Sequence, residues 1–315
     1  MNAPCCSILP DMQRFLFTFF AAVGLAACLS APAWAATQCP EHFASGIAPT
    51  VTNPKLQARL QEICFEAFAV LHSGISRTPL YSAERLLRSN LVAAKTLSRK
   101  DAFHPEPVLP AQDRAEFKDY ARSQYDRGHM APSPDFATRS AQAESFSLAN
   151  MVPQVHANNA GIWAGIENTV RQLATREGEL YVITGPAFIG SDIQQIGRVL
   201  VPTHIWKVVY SPVQQRAGAY LITNDKTRTY SAVTVSDLEK MVGIELLPGL
   251  SQQIRDSGMD LPKPSSARGK KSRGKKAQSA DGEAGVGSGA GAEEEFTLKE
   301  FSRSILDAIG RPSNR

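Results

Sequence analysis

Tyr125-Asp126-Arg127-Gly128-His129 opens the stretch that decides how this chain is read. Ser147-Leu148-Ala149-Asn150-Met151-Val152-Pro153-Gln154 follows, and then Asn158-Asn159 with Trp163, Glu167 and Arg171 behind them. Ile162, Ile166, Val170 and Leu173 recur at helical spacing, so one helix is expected over Asn158–Arg176. Each helical residue turns by about 100°, so Trp163, Glu167 and Arg171 step round from Asn159 by about 40° each. An amide, a carboxylate and a guanidinium then lie on a slanting line beside the buried face. His129 comes from outside that helix, because Gly128 and Pro132 make poor helix interior.

These residue types suit hydrolysis of a phosphate diester. The diester is anionic and repels a nucleophile, so a divalent cation and arginines must offset the charge that builds up. A base must take a proton from water, and imidazole titrates near neutrality. An Asn oxygen is a hard, neutral ligand for a Mg²⁺ ion that keeps most of its waters.

The ordered run DRGHMAPSPDF, FSLANMVPQ and NNAGIWAGIE resembles the DNA/RNA non-specific endonuclease family, the ββα-metal nucleases. The likeness covers about Thr78 to Asn224. It implies an α+β fold: a central, mostly antiparallel sheet flanked by helices, with a ββα-metal motif at the active site. It implies cleavage within DNA and RNA substrates, leaving a 5′ phosphate and a 3′ hydroxyl. Carried over position by position, it makes His129 the general base and Asn159 the single protein ligand of Mg²⁺, with Mn²⁺ as the alternative ion. Glu167 becomes the acid that holds water around the metal, and Arg171 an arginine near the phosphate. Arg127 is the arginine of the DRGH run, and Asn150 orients the site. Arg99, in Leu97-Ser98-Arg99-Lys100-Asp101, is matched on a looser pattern as an upstream phosphate arginine.

Bland readings stand beside these. Asn158 competes with Asn159 for the metal, because relatives often separate the two asparagines by one residue. An Asn at a helix start usually caps it. Glu167 and Arg171 have the spacing of a surface ion pair. Arg127 has an acid beside it in Asp126, and Trp163 suits packing better than base stacking. His156 is a nearby imidazole that matches no family position. Two other functions compete: a nucleic-acid-binding protein that kept the fold without catalysis, and a phosphodiesterase for small diesters.

The 315 residues carry a net charge of +4, but Arg268–Lys276 alone holds six cations, so the remainder is net negative. Any nucleic acid is then gripped in a local cleft rather than by bulk charge. Residues 1–35 read as a secretory signal: Arg14, an apolar run from Phe15 to Leu29, and Ala33-Trp34-Ala35 as a cleavage site. Leu25-Ala26-Ala27-Cys28 offers a competing lipobox. The run is short for a membrane span, so the mature chain is expected to have none and to be periplasmic or secreted. Cys39 and Cys64 remain as a pair in an oxidising compartment and are expected to be bridged, tying the N-terminus to the first helix.

That first helix is read from Asn53-Pro54 and the period of Leu56, Leu60, Ile63, Cys64, Ala67, Phe68 and Leu71, ending at Gly74. Residues 36–260 are taken as the nuclease domain. Gln112–Ala121 has helix-forming composition, and Arg139–Phe146 reads as a short helix or loop. Glu179–Thr184, Val199–Tyr210 and Gly218–Thr223 are β-rich. Ser236 is expected to cap a short helix. Residues 261–295 read as a disordered basic and Gly-rich insertion, whose cations could add salt-sensitive affinity for DNA, and 296–315 as a C-terminal helix. The assembly stays open between monomer and homodimer.

Overall fold

The computed structural model describes residues 36–264. The expectations for residues 1–35, for Arg268–Lys276 and for the C-terminal helix lie outside the described residues.

Two antiparallel meanders make one seven-stranded sheet. Leu60–Cys64, Phe68–Ser73 and Thr78–Leu87 form the first; Glu179–Ala187, His204–Ser211, Arg216–Thr223 and Ser231–Val233 form the second. They join where Thr78–Leu87 pairs with Glu179–Ala187, with Ser82 opposite Thr184 and Glu84 opposite Val182. Residues 88–178 are the excursion between those two strands, and every candidate catalytic and metal residue lies in it. Within it, Tyr125–His129 pairs antiparallel with Met151–Val155, and the helix Ala164–Glu177 follows. The α+β class, the antiparallel sheet and the ββα unit are therefore as expected.

Strand side chains alternate between faces, and each face has its own core. Tyr81, Ala83, Trp206, Val208 and Tyr210 pack with Leu238 and Val242 of the helix Val235–Val242. Leu86, Val182, Ile205 and Val209 pack with Trp163, Ile166, Val170 and Leu173 of the site helix and its lead-in. Burying the apolar stripe of that helix fixes how its polar side meets the two-stranded finger.

Four expectations need correction. Residues 53–74 are not a helix: Pro54–Leu56 is a single 3₁₀ turn, and Leu60–Cys64 and Phe68–Ser73 are paired strands. Asn53 does cap the short turn, its side chain accepting from Lys55 N–H. Leu60, Ile63, Phe68 and Leu71 fit a helical period because short strands are also rich in apolar residues. Pairing with Thr78–Leu87 settles the ambiguity. The Cys39–Cys64 bridge forms as expected, with Cα atoms 5.8 Å apart, but it ties the N-terminal segment to a strand. Gln112–Ala121 is helical only over Phe117–Tyr120. The cap of Val235–Val242 is Thr234, whose hydroxyl accepts from Asp237 N–H at 3.1 Å, not Ser236. Arg139–Glu144 is a short helix, and the later β-rich segments are strands, as expected.

Candidate active site

The finger is held close by a glycine and an asparagine. Gly128 lies opposite Val152, and a Cβ there would sit 2.1 Å from Gln154 Oε1, so no side chain fits. Asn150 is fully buried. Its Oδ1 accepts from Ser82 Oγ at 2.8 Å and from Ala131 N–H at 3.0 Å; its Nδ2 donates to the carbonyls of Ala131 and Ser145. All its hydrogen-bonding capacity is spent on the turn that follows His129, so Asn150 acts by fixing that turn.

His129 packs edge-on against Phe146, ring centroids 4.9 Å apart, with Phe103 at 5.9 Å. Its Nε2 is buried and has no hydrogen-bond partner. Burial, together with Arg99 and Arg127, pushes the imidazole down to about 3, with Asp101 opposing. The ring is therefore neutral.

The helix expected to run evenly from Asn158 has a defect at its start. His156–Asn158 is helical, Asn159–Trp163 is a π turn with Gly161 at φ −105° and ψ −108°, and the α-helix runs Ala164–Glu177. A π turn inserts a residue and changes the direction of the side chains before it, and such turns gather at functional sites. The two asparagines are separated in role. Asn158 is buried, with Oδ1 accepting from Gln154 Nε2 at 2.7 Å and Nδ2 donating to Thr223 O at 2.8 Å. Both ends of its amide are engaged in the fold. Asn159 donates from Nδ2 to Asp126 Oδ2 at 2.9 Å, which turns its oxygen the other way.

Asn159, Asp126, Arg127 and Arg99 line one cleft of about 510 Å³, together with Phe103 and Tyr125. Arg127 does not pair with Asp126. Its guanidinium lies 4.2 Å from the centre of the Phe103 ring, while Asp126 accepts from Asn159 and meets His156 Nδ1 at 2.9 Å. Arg99 bonds Asp101 at 2.6 Å and lies over Phe146 at 5.1 Å. Arg171 bonds Asp135 at 2.9 Å. Its burial works against the charge, but Asp135 and Glu167 outweigh it and hold the guanidinium ionised. Burial raises the Glu167 carboxyl, against the pull of Arg171 and Lys207. Trp163 is core, 1% exposed, as its apolar neighbours imply.

Three participants were missed in the sequence. Asp126 orients the Asn159 amide; its only signal was its place in the DRGH run. Phe103 covers the finger and carries Arg127. The third is a polar stripe on the sheet face below the helix. Lys207 is 2% exposed, donates from Nζ to Thr184 Oγ1 at 2.6 Å, and lies 5.5 Å from the Trp163 ring centre. Glu84 is buried with both carboxylate oxygens unpartnered, and burial pushes its carboxyl well above the usual range. A single Lys among the strand residues Ile205–Tyr210 gave no hint of this.

The fit to a divalent cation rests on the donor set. The grouping of three His, Cys, Asp or Glu ligand atoms found among the described residues is Cys39, Glu62 and Cys64, whose sulfurs are bonded to each other. The cleft instead offers the Asn159 amide beside the Asp126 carboxylate, hard oxygen donors that suit a cation keeping most of its own water.

The family model of DNA/RNA non-specific endonucleases matches residues 48–253. The chain belongs to this family. A nuclease of Nostoc is 32% identical over 232 residues, covering 68% of this chain and 81% of the relative. The mitochondrial nuclease EXOG of Danio rerio is 34% identical over 200 residues, covering 56% of this chain; the match spans 58% of that relative's length. Among solved structures, EndoG in the EndoG/EndoGI complex superposes with a TM-score of 0.53 at 23% identity, over 61% of this chain and 88% of EndoG, a likeness of fold. Endonucleases of this family depend on a divalent metal. The expectation of a periplasmic or secreted protein is overturned here. Relatives from Danio rerio, Homo sapiens, Schizosaccharomyces pombe and Saccharomyces cerevisiae are named mitochondrial nucleases, and the Nostoc relative stands beside them. An apolar run followed by Ala-Trp-Ala is a short compositional pattern and does not specify a compartment.

Proposed function

We propose that residues 36–260 form a metal-dependent endonuclease that hydrolyses phosphodiester bonds of DNA and RNA. The observation that carries this reading is the neutral His129, its buried Nε2 unpartnered, packed beside Phe103, which lines the same cleft as Arg99, Arg127 and Asn159. His129 takes the proton of the attacking water at Nε2. Arg99 and Arg127 hold the phosphate oxygens. An anion lying on these two arginines cancels part of the field that depresses the imidazole, so substrate binding makes His129 a stronger base. Asn159 Oδ1, oriented by Asp126, holds Mg²⁺, with Mn²⁺ as the alternative. When bound, the cation offsets the negative charge of the pentacovalent phosphorus and of the departing 3′ oxygen. Glu167, in the field of Arg171 and Lys207, would hold water around the metal, and Arg171 adds positive potential. Asn150 fixes the His129 turn. Contacts confined to the backbone of the substrate carry no sequence information, so cleavage is expected to be non-specific.

His129→Ala should lower the rate of plasmid cleavage in Mg²⁺ by about 10²- to 10⁴-fold, the span of a general base, and EDTA should abolish wild-type cleavage. His129→Ala cleaving at the wild-type rate would overturn the assignment. Turnover of bis-p-nitrophenyl phosphate with plasmid left intact would overturn the polynucleotide substrate.

A further inference from the structure

A second depression, of about 530 Å³, shares Arg99 with the cleft. It sits where the helix Arg88–Ala94 meets the site helix Ala164–Glu177. Its volume is in the range of small-ligand pockets. Leu91, Ala94 and Pro134 give it an apolar floor, and Lys95, Arg99 and Arg171 give it cations. No acidic residue lines it. Asp101 and Asp135 pair with Arg99 and Arg171 from outside the lining, whereas exposed Lys95 has no salt bridge among the described residues.

One polar group in this wall is left over. Ser133 is 1% exposed, lines the depression, and its hydroxyl has no hydrogen-bond partner. A buried hydroxyl without a partner costs free energy, and a ligand oxygen would satisfy it. Arg99 is common to the two depressions, so an anionic chain lying on Arg99 in the first runs directly into the second.

We propose that this second depression is a nucleotide subsite. It takes the nucleotide next to the scissile phosphate, with the sugar and base against Leu91, Ala94 and Pro134, the sugar oxygens toward Ser133, and the following phosphate on Lys95. The inference rests on the nuclease reading above and adds where the flanking strand lies. Aliphatic contact with a base face does not read base edges, so the subsite gives grip without sequence preference. A strand longer than the scissile unit should therefore be favoured.

Lys95→Glu tests it on the whole chain, with two substrates: a single strand of about twelve nucleotides and a dinucleoside monophosphate, which has no flanking phosphate. For the longer strand, KM should rise about tenfold, the equivalent of about 1.4 kcal/mol, with kcat unchanged; for the dinucleoside monophosphate, kcat/KM should not change. Equal KM values for variant and wild type on the longer strand would overturn the subsite. Equal losses on both substrates would overturn it as well, since a general loss is no flanking-phosphate effect. A wild-type protein inert on both substrates would instead overturn the nuclease reading.

Discussion

The two faces of the sheet are built from the same strands and differ in what they bury. On the face under Val235–Val242, Tyr81, Ala83, Trp206, Val208 and Tyr210 make a continuous apolar layer. On the face under the site helix, Ser82, Glu84, Thr184 and Lys207 interrupt the apolar residues Val182, Ile205 and Val209. Burying charged or unpartnered polar groups is costly, and Glu84 is buried with both oxygens unpartnered. The stripe is therefore not there to hold the fold together. Ser82 reaches Asn150 behind His129, and Lys207 sits against Trp163, the last residue of the π turn that begins at Asn159. One face provides stability; the other positions the site at some expense of stability.

The comparison breaks most visibly at Trp206. This side chain is fully buried, donates from Nε1 to Pro186 O at 3.0 Å, and occupies the space that Gly185 leaves open, where a Cβ would lie 2.5 Å from the indole. Trp206→Ala should cost about 3–5 kcal/mol of unfolding free energy, measured by urea denaturation, with the activity of the folded protein unchanged. A large loss of turnover in the folded fraction would mean that the two faces are not separate in role.

His72, on the site side of its strand, gives a pH test. Burial pushes its imidazole down to about 4, and its Nε2–H donates to Asp113 O. Above about pH 6.5 neither folded nor unfolded chain carries this proton, and the group contributes nothing. From there down to about pH 4 the unfolded chain takes the proton and the folded one does not, so stability falls with pH. At 1.36 kcal/mol per unit, His72 should account for about 3 kcal/mol of that loss. His72→Gln should flatten the acid limb of stability against pH by about that amount, and parallel curves would refute the assignment. Glu84 acts in the opposite sense, since its raised carboxyl gains protons in the folded state first.

The smallest expected effect separates positioning from stability. Glu84→Gln combined with Lys207→Met should change unfolding free energy by no more than about 1 kcal/mol in the unfavourable direction. Turnover on plasmid should fall about tenfold, because Trp163 and Glu167 lose the cation beside them. Unchanged turnover would show that the stripe has no part in positioning.

Much of the fold is legible in the sequence. Gly128-His129 and Asn150 stand out as short ordered motifs, and the apolar period of Ile166, Val170 and Leu173 is long enough to specify a helix. Residues 53–74 were misread because short apolar runs satisfy a helical and a buried-strand pattern equally. Asn158 and Asn159 are chemically identical neighbours, and only the partners across the fold, Gln154 and Thr223 against Asp126, separate them. The second depression and the polar stripe join residues that are far apart in the chain, so no local pattern could contain them.

By itself the sequence determined the chemistry available: an imidazole after a glycine, an amide ahead of a helix, and arginines on either side. Spacing and periodicity act over a few residues, which is the range at which sequence specifies conformation. The tertiary structure decided which asparagine faces the cleft, that Arg127 lies on Phe103 rather than against Asp126, and that Lys207 is buried beneath the site. Those outcomes depend on strands from both meanders packing against one helix, and a buried polar group is oriented by whatever partners that packing brings within hydrogen-bond reach.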